Sequence, residues 1–324
     1  MILQNYLKTK TAQLLDASVD EPENEARLLV ETISGRSRGD LRFSMSREME
    51  EVFTASEIEA LEDAFARRAA HEPLAYIAGH APFYDLEFAV GPGVLIPRFD
   101  TEILVETAMA ALGVPEPFST VSKELPVVES AESAGIGKRP VVIYDLCTGS
   151  GCIGITVAHL LAKKGVRCEV YMTEISEEAA AYARKNAREI LGAGGEAVGA
   201  GTRGMVRWCV DVADLWPRAA SAPADLIVSN PPYIALEEMT ELEPEVREHE
   251  PAGALTDGTD GLTLYRRMAA EIDGHLRRGG VLAVEHGYLQ KEPMKLIFEA
   301  AFTDVTCVCD LGGNDRVTLG KRRV

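Results

Sequence analysis

The chain has 324 residues, 46% of them hydrophobic, and a formal net charge of −18 at pH 7. That length fits one large or two modest domains of ordinary globular composition. So acidic a balance disfavours a long contact with a phosphate backbone, and no apolar run approaches the length of a membrane span, so neither an extended nucleic-acid binder nor a membrane-spanning protein is expected.

The N-terminal residues Met1-Ile2-Leu3-Gln4-Asn5-Tyr6 lack the basic-then-apolar order of a signal peptide. Ile2, Leu3, Tyr6, Leu7, Leu14 and Leu15 then recur near helical spacing. Pro22 suits a first helical turn and is followed by Ala26, Leu28, Leu29 and Ile33 up to Gly35. A third helix is predicted from Ser56 through Ile58, Leu61 and Phe65 to Arg68. Residues 1–72 thus read as a small helical bundle. Between Pro73 and Pro97 the turn residues Gly79, Pro82, Gly91, Pro92 and Gly93 flank short strands, which predicts a hairpin joining two domains across 73–100. A helix follows from Thr101 to Leu112, with Asp100 as its expected N-cap.

From 101 to 324 strands and helices alternate. Strands are predicted at Val141–Leu146, Cys168–Thr173, Val206–Val210, Leu226–Ser229, Val281–Glu285, Val305–Cys309 and Arg316–Gly320. Helices are predicted at Ile153–Lys163, Glu177–Leu191, Leu262–Leu276 and Pro293–Ala301. Two segments rich in Gly, Pro, Ser and Glu, 115–140 and 192–204, read as a surface linker and a flexible insertion. The alternation implies an α/β domain with a doubly wound, mostly parallel sheet, whose ligands bind at the carboxyl ends of the strands. The acidic stretch Glu241–Glu250 reads as mobile and solvated, His249 with it, and His286 as capping a strand. The six cysteines, Cys147, Cys152, Cys168, Cys209, Cys307 and Cys309, form no Cys-x-x-Cys and have no histidine cluster beside them. They read as buried reduced thiols of a cytoplasmic protein, and no metal is expected.

Two strand ends carry the chemistry. After the first strand of the domain runs Asp145-Leu146-Cys147-Thr148-Gly149-Ser150-Gly151, and Gly149 to Gly154 also spell G-x-G-x-x-G. Glycines between a strand and a helix let a ligand approach the backbone closely, so a dinucleotide and S-adenosylmethionine both fit the loop taken alone. Glu174 ends the next strand, where a carboxylate accepts from both ribose hydroxyls, and Asp211 ends the third, where it reaches an adenine edge. Asp145 just before the turn, and the tetrapeptide described next, favour S-adenosylmethionine, released as S-adenosylhomocysteine.

Asn230-Pro231-Pro232-Tyr233 follows the apolar run Asp225–Ser229. Two consecutive prolines stiffen the turn and remove a competing N–H. The Asn230 side-chain oxygen and the Pro231 carbonyl then accept both protons of one NH2 group and aim its nitrogen at a sulfonium methyl. Two acceptors also favour the positive charge that develops on that nitrogen. Tyr233 offers a ring to pack against a flat substrate group. Alignment is expected to carry much of the rate, since well-oriented reactants gain roughly 7–11 kcal/mol.

These motifs resemble the HemK/PrmC family of protein-(glutamine-N5) methyltransferases. The resemblance extends to Glu72–Gly79, to Val94-Leu95-Ile96-Pro97-Arg98-Phe99-Asp100-Thr101-Glu102, to Glu285-His286-Gly287 and to Gly312–Val317. It implies S-adenosylmethionine as cofactor and the glutamine of the Gly-Gly-Gln loop of class 1 peptide chain release factors as substrate. It further implies a release-factor-docking N-terminal domain in a monomeric enzyme that makes no direct nucleic-acid contact. Asn230, Pro231, Pro232 and Tyr233 are implied to hold the glutamine, with Arg98 and Thr101 in a closing segment. Asp145, Cys147, Thr148, Gly149, Ser150, Gly151, Glu174, Asp211, Val212 and Asn230 are implied to hold the cofactor. The chain departs from the family at Cys147, where the loop has its first glycine and a negative φ would accommodate the change. Phe99, Glu174 and Val212 also replace more usual residues. Asn-Pro-Pro-Tyr is shared with adenine-N6 methyltransferases, so a DNA or RNA enzyme and a non-catalytic module of the same fold are the competing readings.

Overall fold

The computed structural model describes residues 1–115, 119, 121, 125–128, 139–192, 205–220 and 222–323. The chain forms two compact units. One comprises Met1–Ala81, Val90–Pro92 and Leu242–His249, and the other Pro82–Ala89, Gly93–Glu241 and Glu250–Val324. Among the described residues no helix is long and apolar enough to cross a membrane.

The first unit is built on helices Leu3–Asp16, Pro22–Ser34 and Ala55–Ala69. Leu3, Tyr6 and Leu14 from the first helix, Ala26, Leu29 and Val30 from the second, and Leu61, Ala64 and Phe65 from the third share one buried core. These are the positions that 3.6-residue periodicity turns to one side. Thr54 and Glu57 close a capping box at the third helix, where the Arg36 guanidinium and the Thr54 groups hold the Glu57 pKa down at about 2. The buried Arg68 is paired with Glu25 at 2.7 Å and with Glu245, which stands on the helix Pro244–His249. Helices Arg38–Ser44, Met49–Val52 and Leu74–Ala78 escaped sequence reading because a turn or two is too short for periodicity to register.

Strands β1 (His80–Phe83) and β2 (Leu86–Ala89) form the expected hairpin. The second unit holds a seven-stranded sheet of β3 (Val141–Leu146), β4 (Cys168–Glu174), β5 (Val206–Val212), β6 (Ala224–Ser229), β7 (Leu276–Glu285), β8 (Phe302–Cys309) and β9 (Asp315–Arg322). Its order is β5-β4-β3-β6-β7-β9-β8, parallel from β5 to β7 and antiparallel in the last two pairs. One apolar cluster covers each face, the larger one including Ile143, Val170, Leu226 and Ala283, the other Tyr144, Ile227, Leu282 and Phe298. Adjacent residues of β3 and β6 thus feed opposite cores, which is why these strands read as continuous apolar runs.

Four expectations need correction. The helix predicted to Leu276 spans only Thr263–Glu271, because Gly274 takes a φ of 88° and β7 begins at Leu276, five residues before the predicted start. Asp100 does not cap the helix Glu102–Ala111; its carboxylate lies 3.2 Å from Arg316. The stretch Glu241–Glu250 carries a helix, and Glu250 is buried. Leu125 and Val128, within the supposed surface linker, are core residues, with the Val128 amide bonded to the Ala111 carbonyl. The rest of 115–140, apart from a few single residues, and 193–204 of the second insertion lie outside the described residues. Of the cysteines, all free, Cys152 and Cys168 are buried as expected, whereas Cys309 is exposed.

Candidate active site

The carboxyl ends of β3, β4, β5 and β6 open on a cavity of about 430 Å³ whose walls include Gly149, Glu174, Asp214, Asn230 and Pro232. This is the strand end at which open α/β sheets bind ligands. Leu95, Ile96, Ile153, Ile175 and Leu215 give it apolar walls.

The loop after β3 is held from below by Asp145. Its Oδ2 accepts from the Thr148 hydroxyl at 2.6 Å and the Gly154 amide at 2.9 Å, while Oδ1 is buried with no partner among the described residues. Burial pushes the Asp145 carboxyl up to about 7. A Cβ on Gly154 would sit 2.8 Å from Asp145 Oδ2, so only glycine lets the helix Cys152–Lys163 approach this closely. Cys147 adopts a φ of 55°, not the negative value expected of a side chain there, and Gly149 and Gly151 follow at 55° and 85°. The left-handed backbone costs a non-glycine residue about 1–2 kcal/mol. Cys147 is also packed on the second core cluster, and burial raises its thiol pKa far above the ordinary value. Asn186, itself buried, ties the loop down by donating to the Ser150 carbonyl at 2.9 Å.

Glu174 stands where β4 ends and faces the cavity. Its Oε2 accepts the Gly149 amide at 2.9 Å and its Oε1 the amides of Ile175 and Ser176. The third strand runs on to Val212, two residues beyond the predicted end, and this moves its contribution. Asp211 does not line the cavity: its Oδ2 accepts the amides of Arg218 and Ala219 at 2.8 and 2.9 Å. Val212 packs against the larger core cluster. Ala213, Asp214 and Leu215 form the wall in their place, and Asp214 is paired in fork fashion with Arg267 at 3.0 and 3.2 Å. Sequence reading missed Asp214 and Arg267 because the role was assigned to the first acid after the strand.

At the other end, Asn230 and Pro232 line the cavity. The Asn230 Nδ2 donates to Thr101 Oγ1 at 3.2 Å, which leaves its Oδ1 as the outward acceptor. Pro231 is buried. Tyr233 turns from the cavity toward the second core cluster, with its hydroxyl 3.4 Å from Glu285 Oε1. Its carbonyl accepts from Gln290 Nε2 at 2.9 Å. The expected ring stacking on a ligand is therefore not what positions Tyr233. Arg98 lines the wall and is paired with Glu250, whose Oε2 also accepts the Ile96 amide at 3.1 Å. One buried carboxylate thereby holds both the Ile96 amide and the Arg98 guanidinium. Of the predicted residues, Arg98, Thr101, Cys147, Thr148, Gly149, Ser150, Glu174, Asn230 and Pro232 converge on the cavity, whereas Asp145, Gly151, Pro231 and Tyr233 shape it from behind. Among the described residues, no group of three or more His, Cys, Asp or Glu is arranged to hold a metal ion.

Residues 5–79 match the family model of the PrmC N-terminal domain. The chain is 36% identical over 310 residues to the release factor glutamine methyltransferase of Caulobacter vibrioides, covering 95% of this chain and 92% of that protein. It is 36% identical over 322 residues to the release factor glutamine methyltransferase of Mycolicibacterium smegmatis, covering 99% and 98%. Among solved structures, the hMettl16 catalytic domain in complex with a MAT2A 3'UTR hairpin aligns at 14% identity with a TM-score of 0.47, over 80% of this chain and 82% of that one.

Proposed function

The chain belongs to the family of release factor glutamine methyltransferases, and from that premise we propose that it methylates the side-chain amide nitrogen of the Gly-Gly-Gln glutamine in class 1 peptide chain release factors. S-adenosylmethionine is the proposed donor. The cavity fits such a group. Carboxylates of Glu174 and Asp214 line it and are the proposed acceptors for ribose hydroxyls and an adenine amino group, and apolar walls suit a flat base. At Gly149 a Cβ would meet only Val94, at 4.0 Å, so the loop leaves open space beside its backbone. When bound, the donor supplies an activated sulfonium methyl.

The remaining work falls to this chain's own residues. Asn230 Oδ1 and the Pro231 carbonyl accept the two protons of the glutamine NH2, which directs its lone pair at the methyl. Because Asn230 Nδ2 is already committed to Thr101, the side chain presents an acceptor and not a donor to that group. As the new N–C bond forms, positive charge on nitrogen is stabilised by the same two acceptors. Arg98, positioned by Glu250, borders the acceptor end and is the proposed contact for the substrate's loop. The single observation that carries this reading is the convergence of Asn230 and Glu174 on one cavity from strand ends far apart in sequence.

The test is a methylation assay with unmodified release factor and labelled S-adenosylmethionine, read by peptide mass spectrometry beside Asn230→Ala. One added methyl on the Gly-Gly-Gln glutamine, abolished in the variant, is the expected result. Cofactor binding without any incorporation would overturn the substrate assignment.

A further inference from the structure

In the helical unit a second cavity, of about 250 Å³, is walled by the helices Leu3–Asp16, Pro22–Ser34 and Arg38–Ser44. Its floor is apolar: Val30 and Leu41 are buried core residues, and Leu7 and Met45 pack against the same core. Its rim carries Arg27, Arg38 and Arg42. Of the arginines in Met1–Ala81, Arg36, Arg47, Arg67 and Arg68 each pair with a carboxylate. The three on this rim make no ion pair among the described residues, although the chain carries a net charge of −18. Arg27 donates to the neutral Asn24 side chain at 2.8 Å, and Asp40, the acid between the other two, is taken up by the Ser37 hydroxyl at 2.6 Å. Arg38 and Arg42 stand one helical turn apart, where like charges oppose each other until an anion comes between them. On the same wall Glu31 Oε1 is buried with no partner among the described residues, and such an acceptor is costly until a donor reaches it.

Resting on the reading above that the methyl acceptor is a protein, we propose that this pocket docks an acidic segment of that protein, with carboxylate side chains on the arginine rim, one apolar side chain on the floor and a backbone N–H donated to Glu31 Oε1. Each guanidinium presents a planar fork that matches a carboxylate. The three demands of the pocket, an anion, an apolar body and an N–H donor, meet in a stretch of peptide. A nucleic-acid backbone suits it less, because the Glu31 carboxylate repels a phosphodiester, which has no proton to give it. An enzyme that alters one side chain of a large substrate can draw binding energy from parts remote from the reacting atoms. On so acidic a chain, a local basic rim is what admits an acidic partner, and attraction of this kind weakens as salt rises.

The experiment compares the unaltered protein with the double variant Arg38→Glu/Arg42→Glu, at two exposed positions, and with Arg47→Glu, an exposed arginine of the same unit that already pairs with Glu51. It measures binding of intact release factor by interferometry without S-adenosylmethionine, at low and high salt, and then kcat and KM for release factor. Calorimetry with S-adenosylhomocysteine and the melting temperature accompany each variant. In the double variant release-factor affinity and KM are expected to worsen about tenfold or more, with kcat and S-adenosylhomocysteine affinity within about twofold. Salt should weaken binding by the unaltered protein and affect the double variant little. Arg47→Glu should stay within a few-fold of the unaltered protein. If the double reversal fails to fold, Arg38→Ala/Arg42→Ala decides in its place, with the same loss expected on a smaller scale. A folded double variant with unchanged affinity and KM overturns the docking site and leaves the reaction standing. An equal loss in Arg47→Glu also overturns it, since the charge of the whole unit would then be the cause. Release factor bound by the unaltered protein and lost in the double variant, with no methyl transferred, keeps the docking site and overturns the reaction. Neither binding nor transfer by the unaltered protein overturns both.

Discussion

The amide of Gly149 donates to Glu174 Oε2 at 2.9 Å, so the glycine loop after β3 is tied to the end of β4 by a residue that also faces the cavity. The same carboxylate accepts the amides of Ile175 and Ser176. Glu174 therefore shapes the turn and, on the proposed function, also supplies a binding group. Replacing it with alanine removes both. Glu174→Ala should weaken S-adenosylmethionine binding by about tenfold or more, equivalent to ~1.4 kcal/mol. Glu174→Gln keeps one acceptor and should lose less. Titration calorimetry reads the difference, and equal affinity in all three proteins would remove Glu174 from the cofactor site.

Two acids three positions apart should separate cleanly. Asp211 caps the amides of Arg218 and Ala219, whereas Asp214 lines the cavity with Arg267 at its back. Asp211→Ala should lower the unfolding free energy by about 1 kcal/mol for the lost bonds and leave cofactor affinity within about twofold. Asp214→Ala should weaken the cofactor several-fold, with little change in stability, because its partner Arg267 is partly solvated and a surface pair contributes about 0–1 kcal/mol. Affinity lost in Asp211→Ala and kept in Asp214→Ala would reverse the assignment.

Gly261 offers a steric test of the acceptor end. A Cβ there would lie 2.0 Å from the Tyr233 carbonyl oxygen, and its φ of 73° is itself unfavourable for alanine. The obstruction is backbone, so no rotamer relieves it. Gly261→Ala should displace the turn after Asn230, cutting kcat more than cofactor affinity, and should destabilise by about 1 kcal/mol or more. Gly258→Ala isolates the conformational cost, since its φ is 75° but nothing lies within 4 Å of the added carbon. If the two variants behave alike, contact with Tyr233 is not the cause.

The glycine loop and the Asn-Pro-Pro-Tyr turn were legible because each is contiguous and ends a continuous apolar strand. The sheet was legible for the same reason, except at β7. There Arg277, Arg278, Gly279 and Gly280 interrupt the apolar run, although Arg277 pairs with the buried Asp225 and a Cβ on Gly280 would meet the Asp225 carbonyl at 2.9 Å. The wall at Asp214 was missed because it depends on two further residues of β5. The left-handed Cys147 was missed because a residue with a side chain ordinarily takes a negative φ. The partnership of Thr101 with Asn230 spans 129 residues, and that of Glu285 with Tyr233 spans 52. No local pattern announces such contacts, and the glutamate read only as part of a family signature.

Glu285 also sets an expected pH dependence. Burial pushes its carboxyl up to about 7, above the ordinary glutamate value, with Asp100 acting in the same direction and Thr101, Arg316 and Tyr233 opposing. Between about pH 4.5 and 7 the native state then holds a proton that the unfolded chain has released. The unfolding free energy must fall as pH rises through that window and level off above it, by at most ~1.4 kcal/mol per pH unit for this one group. Glu285→Gln should reduce that stability slope. It should leave a residual slope from Asp145, also raised to about 7 by burial. Asp145→Asn should remove the residual part. Unfolding free energies that fall equally with pH in Glu285→Gln and the unaltered protein, read by chemical denaturation between about pH 4.5 and 8, would show that the ionisation near 7 belongs to another group.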